Sequence, residues 1–318
     1  MNQKTQQSNQ DTRSRVRVHG CEVNIVHHCN LTCRGCTHFS PILEPFCVDP
    51  EVLYAELTAA HRLLEVDTLI LIGGEPLLHP ELESVIAACQ AAAIAAQLRL
   101  VTNALLSHKL TEPVWSALGE LFVSEYPGQP LAPPQRQRLI DEAEAHGVLL
   151  RFAQYSHFRE PYAEIAATSE ELVKRVYGSC EIVRHWQCRT LERGVFYKCP
   201  QAALIPYVHA RPQENCARDG IALLDHTATI EQLEAYLADD KPLNACSFCL
   251  GSAGVRFPHE LISAADWREL QRRPYAELID PEAFAEFERH GPSAGKNYRR
   301  IEFGKPISPP PRWPVSKT

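Results

Sequence analysis

The chain is predicted to be an α/β protein built on a parallel sheet. Three observations predict this. Strand-like and helix-like segments alternate five times between residues 22 and 152. The second strand is a continuous apolar run, Thr68-Leu69-Ile70-Leu71-Ile72, as expected in a buried parallel sheet. Two loops rich in chemistry, Cys29-Asn30-Leu31-Thr32-Cys33-Arg34-Gly35-Cys36 and Gly73-Gly74-Glu75-Pro76, each follow a predicted strand. The C-terminal ends of parallel strands are where such folds carry their sites.

The elements follow in order. Residues 1–18 are read as a flexible or loosely attached arm, its first 17 residues polar and rich in Gln and Ser. Residues 22–27 alternate in polarity as a strand does. Residues 50–65 place Val52, Leu53, Leu57, Ala60, Leu63 and Leu64 at helical spacing, with Asp49-Pro50 as a start signal. After the strand at 68–72, His79-Pro80-Glu81 opens a helix to about residue 95. Residues 98–103 form the third strand, and Thr111-Glu112-Pro113 opens the next helix. Residues 121–124 are a strand, 133–146 a helix and 148–152 a strand. An open dinucleotide-binding sheet alternates in the same way, but no GxGxxG follows the first strand.

After about residue 160 turns become frequent and cysteines return. The chain ends near Ser308-Pro309-Pro310-Pro311-Arg312-Trp313-Pro314, expected to be an extended surface tail. The expected division is an arm at 1–18, a core at 19–160, a cysteine-rich domain at 161–260, and a C-terminal helix and Pro-rich tail at 261–318.

Composition fits a globular enzyme: 45% hydrophobic and 22% charged over 318 residues. The balance of 32 Lys+Arg against 39 Asp+Glu argues against nucleic acid as the main partner. The N-terminus has no apolar signal-peptide core, and no run of about 20 apolar residues suggests a membrane span. A cytoplasmic, reducing setting is expected. There, twelve cysteines point to metal binding or catalysis rather than to disulfides.

Three thiols spaced three and then two residues apart offer three ligands to a group that usually takes four. A zinc knuckle completed by His27, His28 or His38 is the alternative. The Cys29/Cys33/Cys36 spacing and the Gly73-Gly74-Glu75-Pro76 loop together resemble the radical SAM superfamily. The resemblance covers roughly the first half of the chain. It implies a partial (β/α)6 TIM-like barrel with a [4Fe–4S] cluster on Cys29, Cys33 and Cys36. The open iron would bind S-adenosylmethionine (SAM), whose reductive cleavage yields a 5′-deoxyadenosyl radical. Gly73, Gly74 and Glu75 would face the methionine amino group, with Glu75 helping to hold that loop and placing charge near the ammonium. Asn103, Ser124 and Arg151, on later strands, would contact the ribose or carboxylate, with strand-end capping or a structural ion pair as the plainer alternative for each. The family carries an aromatic residue before the third cysteine, where this chain has Gly35. Adenine packing would then pass to Phe39, His38 or backbone atoms.

In the second half, Cys180 is followed by Gly194, Cys199 and the pair Cys246/Cys249. This resembles the SPASM and twitch auxiliary domains. It implies a second [4Fe–4S] cluster on Cys180, Cys199, Cys246 and Cys249, with Cys188 competing with Cys180. A zinc site or buried free thiols are the alternatives. Residues 191–197 read as a hairpin with Gly at its turn.

The implied function is hydrogen abstraction from a small polar substrate, a sugar or aminocyclitol-like molecule, ending in dehydrogenation or epimerisation. The electron donor would be a flavodoxin or ferredoxin. A second expectation is a maturase of a ribosomally made peptide; the short segment before the first strand favours a small molecule or short peptide instead. A third is a non-catalytic iron–sulfur or zinc regulator. Cys47, Cys216 and His38 are candidate catalytic groups, against plainer roles as exposed thiols and a structural histidine.

Overall fold

A computed structural model describes residues 15–209, 219–292 and 298–303. Most of residues 1–18, Cys216 and the Pro-rich tail lie outside the described residues.

Five parallel strands carry the first half: β1 (Val16–Val26), β2 (Leu64–Gly73), β3 (Ala95–Thr102), β4 (Glu120–Glu125) and β5 (Leu149–Tyr155). The helices between them are α1 (Pro50–His61), α2 (Leu82–Ala92), α3 (Glu112–Ala117) and α4 (Pro133–His146). Local signals set their ends. Asp49 accepts from the amides of Glu51 and Val52 to cap α1, and Gly147 takes φ 67° to end α4.

Each strand shows two faces. Leu69, Leu71, Leu100, Leu121, Val123 and Phe152 turn toward the helices and join one apolar core. Burying each such side chain stabilises the fold by about 1.5–3 kcal/mol. The intervening Ile70, Arg99, Glu120, Ser124 and Arg151 line a cavity of about 2280 Å³. The apolar run of β2 is thus not buried on both faces. One face packs on helices and the other walls a large cavity that also carries charged side chains.

β1 begins at Val16, with Val16 opposite Leu64 and Val18 opposite Val66, so the expected arm ends earlier than residue 18. The 191–197 hairpin is β7 (Arg189–Glu192) and β8 (Val195–Tyr197). Arg193 and Gly194, at φ 48° and 72°, make the turn. β7 also pairs in parallel with β1. The hairpin therefore continues the sheet of the first half and adds a sixth parallel strand among the described residues. β9 (Gly220–Ala222) pairs with β8, and β11 (Tyr298–Phe303) lies antiparallel on β5. The order is β11-β5-β4-β3-β2-β1-β7-β8-β9.

A two-stranded sheet, β6 (Phe158–Arg159) with β10 (Arg256–Phe257), stands apart. A second apolar core gathers Phe39, Tyr162, Tyr177 and Trp267. It draws on α5 (Glu170–Gly178), α6 (Pro200–Val208) and α8 (Ala264–Gln271); α7 (Ile230–Ala238) packs Leu233 into the first core. α9 (Pro281–His290) completes the helices. Among the described residues, no helix is long and apolar enough to cross a membrane.

Candidate functional site

The cysteine run lies between β1 and α1, pinned from several sides. Asn103, just past β3, donates from Nδ2 to Asn30 Oδ1 at 2.7 Å and sits 3.9 Å from Cys29 Sγ. Arg34 Nε donates to the buried Glu160 at 2.8 Å, and its guanidinium also pairs with Glu260. The Arg34 amide donates to the Glu260 carbonyl, and the Ile262 amide to the Thr32 carbonyl, both at 3.0 Å. Cys29, Cys33 and Cys36 all face the large cavity. Burial raises each thiol, Cys29 to about 12 and Cys33 higher, and the neighbouring thiols add to the rise in both. Thiols held this way become thiolates when a cation shares their charge.

Gly73 and Gly74 line the same cavity, but their missing side chains serve the chain's own backbone. A Cβ on Gly73 would stand 2.0 Å from the Val26 carbonyl oxygen, and one on Gly74 1.9 Å from that of His28. The Gly74 amide donates to Val26 O at 2.6 Å and the Glu75 amide to His28 O at 3.0 Å. Glu75 has the expected loop-holding role: its carboxylate accepts from three donors, the Leu77 amide at 3.0 Å, Thr102 Oγ1 at 2.5 Å and the Asn103 amide at 2.8 Å. It ties the ends of β2 and β3 together beside the cysteine loop.

Ser124 is buried near the end of β4 and lines the cavity. Arg151 lines it too, but its guanidinium is engaged. Nη1 donates to Glu120 at 2.7 Å and Nε to Glu302 at 2.8 Å. The expected pairing of Arg151 with a ligand carboxylate competes with these two internal carboxylates.

Deeper in the cavity lies a layer of charge. Register places Glu22 opposite Ile70, Ile70 opposite Arg99, and Arg99 opposite Glu120. Arg99 Nη2 donates to Glu120 at 2.8 Å. Glu22 Oε2 and Arg99 Nε are buried without a hydrogen-bond partner among the described residues. Burial pushes Glu22 up to about 7, opposed by Cys188 and Arg99. Cys188 lies in this cavity against Glu22.

Gly35 has a steric cause. At φ +68°, a Cβ there would stand 2.5 Å from both the Arg159 carbonyl oxygen and the Phe257 ring. The small sheet presses on the loop and leaves no space for an aromatic side chain. Phe39 cannot replace it for adenine packing, since it is fully buried between Tyr162 and Trp267. The sequence reading missed an aromatic wall beside the thiols. Tyr126 stacks on Tyr155 at 5.9 Å and on His259 at 5.1 Å, and Phe158 lies against all three. Tyr126, just past the fourth strand, was the one legible signal.

His38 lines the cavity with Nε2 unpartnered among the described residues, and burial lowers its pKa to about 4. Cys47 bridges to Val26 and does not line the large cavity. Cys216 lies outside the described residues.

Cys180, Cys199, Cys246 and Cys249 line one small cavity with Gly251. Burial raises the Cys246 thiol most, followed by the proximity of Cys249, Cys199 and Cys180. The free space is about 20 Å³, roughly the room of one water. Cys188 is not part of this cavity.

Among the described residues, no three His, Cys, Asp or Glu side chains converge so as to hold a metal ion. A polynuclear cluster spreads its thiolates over several irons. By donor chemistry, the three thiols on the loop facing the large cavity fit such a group; the four around the small cavity supply thiol donors, but the space between them is only about that of one water.

No family model and no curated protein matches the chain. Among solved structures it is similar to Streptococcus suis SuiB, at 16% identity and a TM-score of 0.34, over 42% of this chain and 32% of that one. It is similar to BtrN in complex with AdoMet and 2-DOIA, at 11% identity and 0.39, over 84% and 93%. It is also similar to anSMEcpe with bound AdoMet and Kp18Cys peptide, at 12% and 0.43, over 71% and 81%. The chain spans about a third of the SuiB chain. At these scores the likeness carries no argument about activity.

Proposed function

We propose that the chain is a radical SAM enzyme acting on a small polar substrate. One observation carries the reading. The three-thiol loop and the Gly73-Gly74-Glu75 loop, at the C-terminal ends of adjacent parallel strands, face one cavity whose deeper wall is charged. When bound, a [4Fe–4S] cluster with SAM supplies a 5′-deoxyadenosyl radical for hydrogen abstraction.

Cys29, Cys33 and Cys36 hold that cluster. Gly73, Gly74, Asn103 and Ser124 line the space beside it, and Tyr126, Tyr155 and Phe158 offer flat faces for adenine. The cavity exceeds the roughly 300–1,000 Å³ of an ordinary small-ligand site, which supports room for a second molecule beside SAM. Glu22 and Arg99, each with an atom left unfilled by the described residues, favour a substrate rich in hydroxyl or amino groups. The six parallel strands support the partial (β/α)6 barrel. Cys180, Cys199, Cys246 and Cys249 are assigned to an auxiliary [4Fe–4S] cluster. A flavodoxin or ferredoxin is the electron donor, and dehydrogenation and epimerisation are the two outcomes. The cavity volume also favours a second reading, in which the substrate is a short peptide.

The test is anaerobic reconstitution followed by a SAM-cleavage assay under dithionite. The wild type is expected to release 5′-deoxyadenosine, and a folded Cys33→Ala variant none. Undiminished cleavage in that variant, or none in the iron-loaded wild type, overturns the reading.

A further inference from the structure

We propose that His259 donates a hydrogen bond to the Cys33 sulfur and so raises the reduction potential of the cluster on the cysteine loop. This rests on the functional reading above. His259 is 226 residues from Cys33, yet its Nε2 lies 3.2 Å from Cys33 Sγ.

The other ring nitrogen fixes the direction of this contact. The Gly128 amide donates to His259 Nδ1 at 3.3 Å. A nitrogen that accepts an N–H carries no proton, so the imidazole is neutral with its hydrogen on Nε2. That hydrogen faces the sulfur. The ring is held there by Tyr126, stacked at 5.1 Å, and by Phe158 at 5.0 Å. The backbone beside it is fixed as well. Leu261 bridges to Cys33, and Glu260 and Ile262 bond to Arg34 and Thr32. Residues 259–262 thus form a short strap along the loop, and His259 is its polar contact with a thiol.

A cluster gains one electron on reduction, and part of that charge resides on its sulfurs. An N–H aimed at a ligating sulfur stabilises the reduced form more than the oxidised form. Hydrogen bonds to sulfur are among the factors that set cluster potentials. His259 is therefore a positioning residue: it touches a ligand and acts through it.

The experiment is a redox titration of the reconstituted full chain, read by low-temperature EPR. It follows the signal that changes when SAM is added. His259→Phe keeps the ring stack and removes the donor. It is expected to disfavour the reduced form about tenfold, a drop of about 59 mV for a one-electron couple, with iron content unchanged. His259→Gln retains an N–H donor and is expected to recover part of the loss.

If His259→Phe fails to hold iron, Gly128→Ala displaces the ring instead. Its Cβ would stand 2.9 Å from His259 Nδ1, and the same downward shift is expected. An unchanged midpoint in His259→Phe, or equal drops in the Phe and Gln variants, overturns the hydrogen-bond role. A wild type with no SAM-responsive cluster sinks the functional reading instead, which is a separate failure.

Discussion

Replacing Glu75 with Gln tests whether the strand-end loop is built around a carboxylate tie or around a ligand. Glu75 is 1% exposed. Oε1 accepts from the Leu77 amide and Thr102 Oγ1, and Oε2 from the Asn103 amide. Glutamine has one acceptor oxygen. Its best arrangement keeps that oxygen on the two donors and turns the NH2 toward the Asn103 amide, donor against donor. A buried donor left unmade costs about 1–3 kcal/mol, and the two remaining bonds lose their charge assistance. The sum is about 2–4 kcal/mol. Asn103 also holds Asn30, so the cysteine loop should loosen with it. Urea unfolding of the chain without metal reads the stability change, and iron content after reconstitution reads the loop. A stability within about 0.5 kcal/mol of wild type, with SAM affinity lost, would refute the tie. It would return Glu75 to direct ligand contact.

Three further outcomes are expected. Glu22 is raised from 4.5 to about 7, so the folded state holds its proton where the unfolded chain does not. Its contribution to stability is full below about pH 4.5 and is lost as pH rises through 7, by up to about 3 kcal/mol. Glu22→Gln should flatten the pH dependence of the unfolding midpoint over that window, and an unaltered slope would refute the assignment. Cys180→Ser is expected to lower bound iron by about four per chain while Cys188→Ser leaves it unchanged; the reverse pattern would move the auxiliary site. Gly35→Tyr places an aromatic residue before the third cysteine of the loop. It is expected to destabilise the chain by at least about 2 kcal/mol, since φ is positive and the Cβ meets a backbone oxygen. Thermal unfolding at wild-type temperature would show that the small sheet yields.

What was legible in the sequence was local. Apolar runs and capping residues marked β1 to β5 and α1 to α4, because hydrophobic period and turn chemistry are properties of a few neighbouring residues. The spacing of Cys29, Cys33 and Cys36 marked the loop in the same way. The two faces of β2 were less legible. Ile70 and Ile72 are apolar yet line the cavity, so no alternation betrays the inner face. β7 was read as half of a hairpin. Its pairing with β1 spans more than 160 residues and leaves no mark on either segment.

The contacts that decide how the site works are nearly all of this long-range kind. Arg34 reads as a loop arginine until Glu160 and Glu260 are brought to it. Gly35 reads as a missing aromatic until Arg159 and Phe257 press on it. His259 reads as one histidine among fourteen until Gly128 fixes its tautomer and Cys33 lies 3.2 Å away. All three involve the β6–β10 pair or the strap that follows β10. Two short strands of two residues each bring the C-terminal third of the chain onto the cysteine loop. A segment that carries no motif of its own therefore shapes the motif. It removes the side chain at Gly35, neutralises Arg34 and supplies a donor to Cys33. The second half of the chain thus acts directly on the cysteine loop, through residues 159–160 and 256–262.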